Sequence, residues 1–596
     1  MRKENWFLKR EGTNKDKVKD FMTKLSIDEL TAKILLNREI ETVEEAKKFL
    51  YGEVEDFLNP LDMKDMKKAV IRMKNAIEKG EKITIYGDYD CDGVISTTIL
   101  YKGLKDCGAD FNFHIPDRES EGYGMNCERV KILKEEGTEL IITCDNGIAA
   151  FEEIELAMNL GMDVILTDHH DIQLVEKENG EKEFMVPSAY AVVNPHQSDC
   201  NYKFKYLCGA GIAFKFILAL YKEMNMDMNK AMKLIEFCAI ATVCDIVDLK
   251  DENRIIVKKG LELLNNSNNI GINALKKACN LEDKKITAYH LGFVIGPCIN
   301  ATGRLETASL AVELLVTENK LRAEELAKEL VDLNERRKEL TERSVEEVIE
   351  QIEKEKLYND KVILVYNSNI HESIAGIVAG RVKERYNLPT IVMTKGKDMP
   401  KGSARSIEGY DMFKELSKCK SLMEKFGGHP MAAGLSAKEE NLPKIRKMLN
   451  DLCELTDEDV VPKVRIDSPV LLNQITVDLV SKIERLEPFG KSNPSPVLAA
   501  KSVLVTGIQT MGAEKTHLKF ACLDPNTNKR IPALWFNMAD EFQIMFDDRF
   551  GMGAFERASA GGSVRFNIDI IYKPSINEFR GNISTQIIIS NLRLSV

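Results

Sequence analysis

Aspartates and histidines gather at four places where a short apolar run ends, and donors of this kind suit divalent cations. The places are Gly87-Asp88-Tyr89-Asp90-Cys91-Asp92-Gly93, Asp145-Asn146-Gly147, Asp168-His169-His170 and Asp245. Carboxylates with an imidazole favour hard or borderline ions such as Mg2+ or Mn2+. If the apolar runs are parallel strands, their carboxyl ends open on one crevice, where an open α/β sheet places its ligands. The four clusters together therefore read as a binuclear metal site.

Each cluster also has a plainer explanation. Asp88, Asp90 and Asp92 alternate at period two, so an extended segment would turn all three to one side, with Gly93 freeing the turn into a helix from Val94. The same string opens like an EF-hand calcium loop, but the twelfth loop position is Ile99 rather than Glu, and a strand-like run precedes it. Alone, it also fits an acidic structural turn, and Asp-Asn-Gly is ordinary turn chemistry. Adjacent histidines after an acid at a strand exit are less ordinary, and His169 and His170 are two of only eight histidines in the chain.

The elements that must carry these groups are legible as alternation. Ile83 to Tyr86, Leu140 to Thr143, Val164 to Thr167 and Tyr190 to Val193 read as strands separated by helix-length segments, which implies a parallel sheet with right-handed crossovers. Met63 to Lys79, Gly209 to Met224 and Met232 to Val243 read as helices, the last delivering Asp245 at its end. From about Glu318 to Lys356, Leu and Val recur at three- and four-residue spacings among dense charge, without Gly or Pro. That pattern predicts one helix, which at about 1.5 Å per residue spans more than about 50 Å and could bridge two domains.

A second α/β unit follows, with Lys361 to Val365 and Thr390 to Met393 as strands and Ala375 to Arg385 as a helix. Beyond Pro462, short alternating runs predict five or so strands of a small β-barrel such as an OB fold. The expected domains are an N-terminal helical extension (1–60), a parallel-sheet α/β domain (61–317), the long helix (318–356), a smaller α/β domain (357–455) and the barrel (460–596).

Composition is ordinary for a multidomain globular chain: 596 residues, 44% hydrophobic and 30% charged. No apolar stretch approaches the roughly 18 uncharged residues of a membrane helix, and no signal-peptide core opens the chain, so a cytoplasmic location without membrane attachment is expected. Thirteen cysteines without a Cys-x-x-Cys pair argue against a disulfide framework and a zinc ribbon. The net charge of −11 does not exclude nucleic acid, because local field rather than the total binds phosphate.

These residues resemble the DHH phosphoesterase superfamily, and within it the RecJ-type single-stranded-DNA 5′ exonucleases. The likeness extends over Pro60 to Gly93, Asn194-Pro195-His196, Gly209-Ala210-Gly211, Asn300-Ala301-Thr302-Gly303-Arg304-Leu305, Gly402-Ser403-Ala404-Arg405-Ser406 and Gly427-Gly428-His429-Pro430. Pro488-Phe489-Gly490, Asn493-Pro494 and Asn577-Glu578-Phe579-Arg580-Gly581 resemble the family's OB domain. The chain departs from the family where His371-Glu372-Ser373 replaces the usual His-Pro-Gly, and where Lys491-Ser492 stands before Asn-Pro.

The resemblance implies a DHH domain, a DHH-associated domain and an OB domain. It implies that Asp90, Asp92, Asp145, His169 and Asp245 hold two divalent ions, Mn2+ or Mg2+, with Asp145 bridging and Asp88 and His170 close by. Arg304 would contact the phosphate in the active site. Arg118, His196, Ser403, Arg405, Gly427, Gly428 and His429 would bind substrate phosphates near the 5′ end. The activity implied is two-metal hydrolysis of single-stranded DNA from a free 5′ end, releasing 5′ mononucleotides in recombination and repair. The enzyme would be a monomer, assisted by a helicase and a single-strand-binding protein. Two other functions share the metal motif: an oligonucleotidase or cyclic-dinucleotide phosphodiesterase, and an inactive scaffold that binds single strands. Trp535, Phe536, Tyr572 and Arg580 are candidates for stacking or phosphate contact, and the aromatics fit a barrel core equally well.

Overall fold

Five apolar strands pair edge to edge, all parallel, in the order Phe111–His114, Ile83–Tyr86, Leu140–Cys144, Asp163–Thr167, Ala191–Val193. In chain order this is 2-1-3-4-5, so strand order reverses between Ile83–Tyr86 and Leu140–Cys144, and that switch point is where such sheets bind ligands. The structure is a computed structural model that describes every residue except 1–3, 11–13, 119, 123, 177–181, 525, 526, 563 and 596. Ile83, Ile85, Leu140, Ile142 and Ile165 are fully buried against helices Met66–Lys79, Cys91–Asp106 and Gly209–Glu223. The edge strand Phe111–His114 was not expected. Its alternating Phe and polar residues are only half-buried, so no continuous apolar run marks it.

The predicted long helix runs from Lys320 to Glu355, 36 residues. Asn319 caps its start, accepting from the N–H groups of Leu321 and Arg322, and Lys356 ends it in a left-handed conformation. The following sheet has the order Lys425–His429, Ala432–Ser436, Lys401–Arg405, Thr390–Thr394, Ile363–Tyr366, parallel only between the last two. The Gly427-Gly428-His429 segment therefore lies on a strand. Gly428 lies so close to its neighbour that a Cβ would stand 2.3 Å from the Ala432 carbonyl oxygen.

The chain forms two units, Glu53–Val460, and Met1–Gly52 together with Val461–Val596. In the second unit a six-stranded sheet closes on itself through pairing of Leu498–Met511 with both His517–Leu523 and Phe566–Phe579. Trp535 and Tyr572 belong to the barrel core, at 3% and 0% exposure, whereas Phe536 is 46% exposed. Burial of the first two ends the stacking reading for them. Helices Lys15–Leu25, Glu29–Asn37 and Val43–Tyr51 pack their apolar faces with Leu486 and Phe489 of the same unit. A strand hidden in the polar N-terminus, Asn5–Leu8, pairs in parallel with Lys463–Ile466.

Arg38, at the end of helix Glu29–Asn37, is buried and makes a two-pronged contact to Asp467, with Nη1 to Oδ1 at 2.7 Å and Nη2 to Oδ2 at 3.3 Å. Asp467 also accepts from the Val497 N–H at 2.9 Å, and the Asn37 amide donates to the Asp467 carbonyl at 3.0 Å. Among the described residues no helix is long and apolar enough to cross a membrane.

Candidate metal centre

Three strand ends and two helix ends deliver the donors. After Ile83–Tyr86 the chain turns through Asp88 and Asp90. Asp90 caps helix Cys91–Asp106, accepting from the N–H groups of Asp92 at 2.9 Å and Gly93 at 3.1 Å. Gly93 permits this turn, since a Cβ there would lie 2.5 Å from the Asp88 carbonyl oxygen. Asp145 follows Leu140–Cys144 with φ of +62°, a strained conformation at a strand end. The amide of Asn146 holds it there by donating to the carbonyls of Tyr86, Gly87 and Cys144 at 3.0–3.1 Å.

The Asp168 carboxylate accepts from the N–H groups of Ile148, His169 and His170 and from Nδ1 of His170 at 2.7 Å. That arrangement leaves His169 turned inward, where Nε2 is 3.1 Å from Asp145, 3.6 Å from Asp92 and 3.8 Å from Asp245. Asp245 arrives at the end of helix Ile235–Cys244. Helix Gly209–Glu223 points its N-terminus at Asp92, with the N–H groups of Gly209 and Ala210 donating at 2.6 and 2.8 Å. Only glycine fits at 209, because a Cβ would stand 2.6 Å from that of Asp145.

Three sets of donor atoms could each hold an ion: Asp145, His169 and His170; Asp92, His169 and Asp245; Asp88, Asp90 and Asp145. They overlap at Asp145 and His169. All five expected ligands are thus brought together, with Asp88 and His170 among them. The electrostatics fit a cation. Burial and the charges of Asp92, Asp90 and Asp88 push the Asp145 carboxyl well above its usual range. Asp88 is pushed up to about 8 by burial and by Asp90, and Asp92 is raised chiefly by burial. Asp88 Oδ1 and Asp145 Oδ1 are buried without a hydrogen-bond donor among the described residues. Burial lowers the pKa of His169, which keeps the ring neutral and able to ligate. For His170 burial works the same way, but the hydrogen bond and charge of Asp168 outweigh it and raise the ring to about 9.

The arginine of the Asn-Ala-Thr-Gly-Arg motif lies beside this cluster. Gly303 touches the backbone of Tyr89, where a Cβ would be 2.1 Å from the carbonyl oxygen, so helix Gly296–Leu305 packs directly on the Asp88–Asp90 loop. Arg304 donates to the Ser373 carbonyl. Burial and the neighbouring charges of Arg118 and Arg337 lower its pKa to about 10, which leaves it a cation at neutral pH. The Arg118 guanidinium stands over the Tyr89 ring, 5.1 Å from its centroid.

Of the expected substrate residues, Arg118, Ser403 and Gly427 line one cavity of about 360 Å³, together with Glu372, Lys401, Lys425 and others. Arg405 lies on the same strand as Ser403 and reaches toward Gly376 of helix Ala375–Tyr386, where a Cβ would be 2.7 Å from Nη2. Gly428 and His429 continue the strand of Gly427 outside that cavity lining. His196 stands apart from the donor sets, 3.6 Å from Asp171, and Asn194 links its N–H to the His170 carbonyl. Sequence reading missed Asp168 and Asn146 as positioning residues. An acid or amide beside the ligands was visible, but not that its hydrogen bonds point into the backbone.

Residues 82–242 match the DHH family N-terminal domain and 359–455 the DHHA1 domain, which puts the fold and its acid cluster in the DHH class. Residues 466–591 match the RecJ OB domain. The chain is 37% identical to the single-stranded-DNA-specific exonuclease RecJ of Bacillus subtilis (strain 168), across 100% of this chain and 71% of that protein. It is 32% identical to the RecJ of Escherichia coli (strain K12), across 94% of this chain and 95% of that one. The crystal structure of RecJ in complex with Mn2+ from Thermus thermophilus superposes with a TM-score of 0.80 at 24% identity, over 99% of this chain and 79% of the other. A structure of exonuclease RecJ bound to manganese matches with a TM-score of 0.58 at 30% identity, over 68% of this chain and 98% of that one. The chain belongs to the RecJ family of single-stranded-DNA-specific exonucleases. The expected architecture, a parallel-sheet DHH domain, a long helix, a second α/β domain and an OB barrel, is borne out.

Proposed function

We propose that this chain is a divalent-metal-dependent exonuclease that degrades single-stranded DNA from a free 5′ end and releases 5′ mononucleotides. The observation that carries it is the convergence of three donor sets on Asp145 and His169 at the switch point of a parallel sheet. Asp90, Asp92, Asp145, His169 and Asp245 would hold two ions, Mn2+ or Mg2+, as the manganese-bound relatives support. Bound there, the ions would supply an activated water and neutralise charge on the departing oxygen.

The chain's own groups do the rest. Arg304 directs a fixed positive charge at the phosphate between the first and second nucleotides. His170, held by Asp168, stabilises the charge that develops on the oxygen leaving the phosphorus, the 3′ oxygen of the first nucleotide. Arg118, His196, Ser403, Arg405, Gly427, Gly428 and His429 bind phosphates near the strand end, and the OB barrel supplies a further single-strand-binding element. The enzyme works in the cytoplasm on strands opened by an unwinding partner. The thirteen unpaired cysteines suit a reducing compartment.

A time course on 5′-labelled and 3′-labelled DNA, single-stranded and duplex, with Mn2+, Mg2+ or chelator, tests the reading. Mononucleotides should appear first from the 5′ label, only with metal and only from single strands. Efficient cleavage of a dinucleotide but not of a long strand would favour an oligonucleotidase, and no release under any metal would favour an inactive scaffold.

A further inference from the structure

The cavity that Arg118, Ser403 and Gly427 line holds three cationic side chains and one carboxylate. The cations are Arg118, Lys401 and Lys425, and the carboxylate is Glu372. Lys401 Nζ is 2.8 Å from Glu372, with the two side chains 46% and 45% exposed. Part of the cavity's positive charge is therefore already engaged by the protein. The Glu372 backbone is fixed on both sides: Nδ1 of His371 is 2.8 Å from the Ser373 hydroxyl, and the Ser373 carbonyl accepts from Arg304.

We propose that Glu372 sets how strongly this pocket distinguishes a 5′-phosphate from a 5′-hydroxyl end. This rests on the reading above, that the cavity receives the 5′ end of the strand. A terminal phosphomonoester carries close to two negative charges at neutral pH and three acceptor oxygens. Entering the cavity, it competes with Glu372 for Lys401 and is repelled by the carboxylate itself. A hydroxyl end brings no charge and meets neither effect. A half-exposed ion pair is weak, so the lysine can be recruited, but each recruitment leaves Glu372 without its partner. Glu372 thus levels the affinity for the two kinds of end, and the enzyme accepts strands whatever chemistry produced the break.

The test is equilibrium binding of one 3′-fluorescein-labelled single strand, carrying either a 5′-phosphate or a 5′-hydroxyl, to the full chain in chelator. Glu372→Gln keeps the side-chain shape and removes the charge. It should raise the ratio of 5′-phosphate to 5′-hydroxyl affinity by about fivefold, shrinking as salt is added. Adding Lys401→Met to Glu372→Gln should return the ratio to that of the unaltered chain. Affinity for the hydroxyl end reports in every variant that the protein is folded. A ratio that Glu372→Gln leaves unchanged, or a gain that survives loss of Lys401, overturns the proposal. Nuclease activity is not read in this assay, so loss of the catalytic reading would show separately, as absent nucleotide release with Mn2+.

Discussion

Asp145 and Asp467 are both buried carboxylates, and the two units of the molecule treat them in opposite ways. Burial by itself would raise Asp467, but the hydrogen bonds and charge of Arg38 outweigh it and hold the carboxyl below its usual range. Asp145 faces Asp92, Asp90, Asp88 and Asp245 with one neutral imidazole, and is driven far the other way. A paired buried charge satisfies the fold, whereas a crowd of like charges at a strand exit opposes it. Backbone strain at Asp145, three amide bonds from Asn146 and a helix N-terminus on Asp92 hold that crowd in place. Such an arrangement persists because a ligand of opposite charge completes it.

Removing Asp145 should separate the two cases most sharply. Asp145→Ala is expected to lower Mn2+-supported nucleotide release by more than about a thousandfold, since the group joins two of the donor sets. Its melting temperature in chelator should hold or rise, because a repelling charge is gone. A lower melting temperature would make Asp145 a structural acid like Asp467 and break the comparison. The converse change, Arg38→Met, strands a buried carboxylate and should cost about 3–5 kcal/mol in denaturant unfolding of the barrel unit. Nucleotide affinity of the metal centre should be untouched, and a loss below about 1 kcal/mol would place Asp467 among solvated acids.

Asp168→Asn keeps the backbone acceptor but weakens the grip on His170, and about a 10–100-fold fall in rate is expected with Mn2+ still bound. An unchanged rate would remove Asp168 from the positioning of the site. The smallest effect is on pH. Because the folded-state carboxyl of Asp467 is depressed, its stabilisation is complete above the ordinary carboxylate value of about 3.9 and is lost as pH falls through the lower folded value. Unfolding of the barrel unit followed from pH 6 downward should show that acid loss in the parent and a weaker one in Arg38→Met.

The metal centre was legible because its donors mark strand ends. Asp90, Asp145 and His169 each follow an apolar run, and a parallel sheet converts sequence order into spatial convergence. Asp467 was not legible. Its partner lies 429 residues away at a helix end, with no periodicity linking the two. The glycines behave similarly. Gly209 and Gly303 lay in motifs visible by resemblance, yet their reason, close approach to Asp145 and to the Tyr89 backbone, exists only in three dimensions. Strand Asn5–Leu8 is short and polar-flanked, and its partner Lys463–Ile466 supplies the pairing that its own residues do not announce.

That pairing has a bearing on how the protein is made. A ribosome adding about 5–20 residues per second finishes the Glu53–Val460 unit roughly 20–80 s after residue 52 is joined. Throughout that interval the faces of helices Lys15–Leu25, Glu29–Asn37 and Val43–Tyr51 lack Leu486 and Phe489, and Arg38 lacks its counter-ion. Those helix faces and Arg38 therefore stay unmatched until the residues from 461 to 489 have been added, although the α/β unit made in between can already fold.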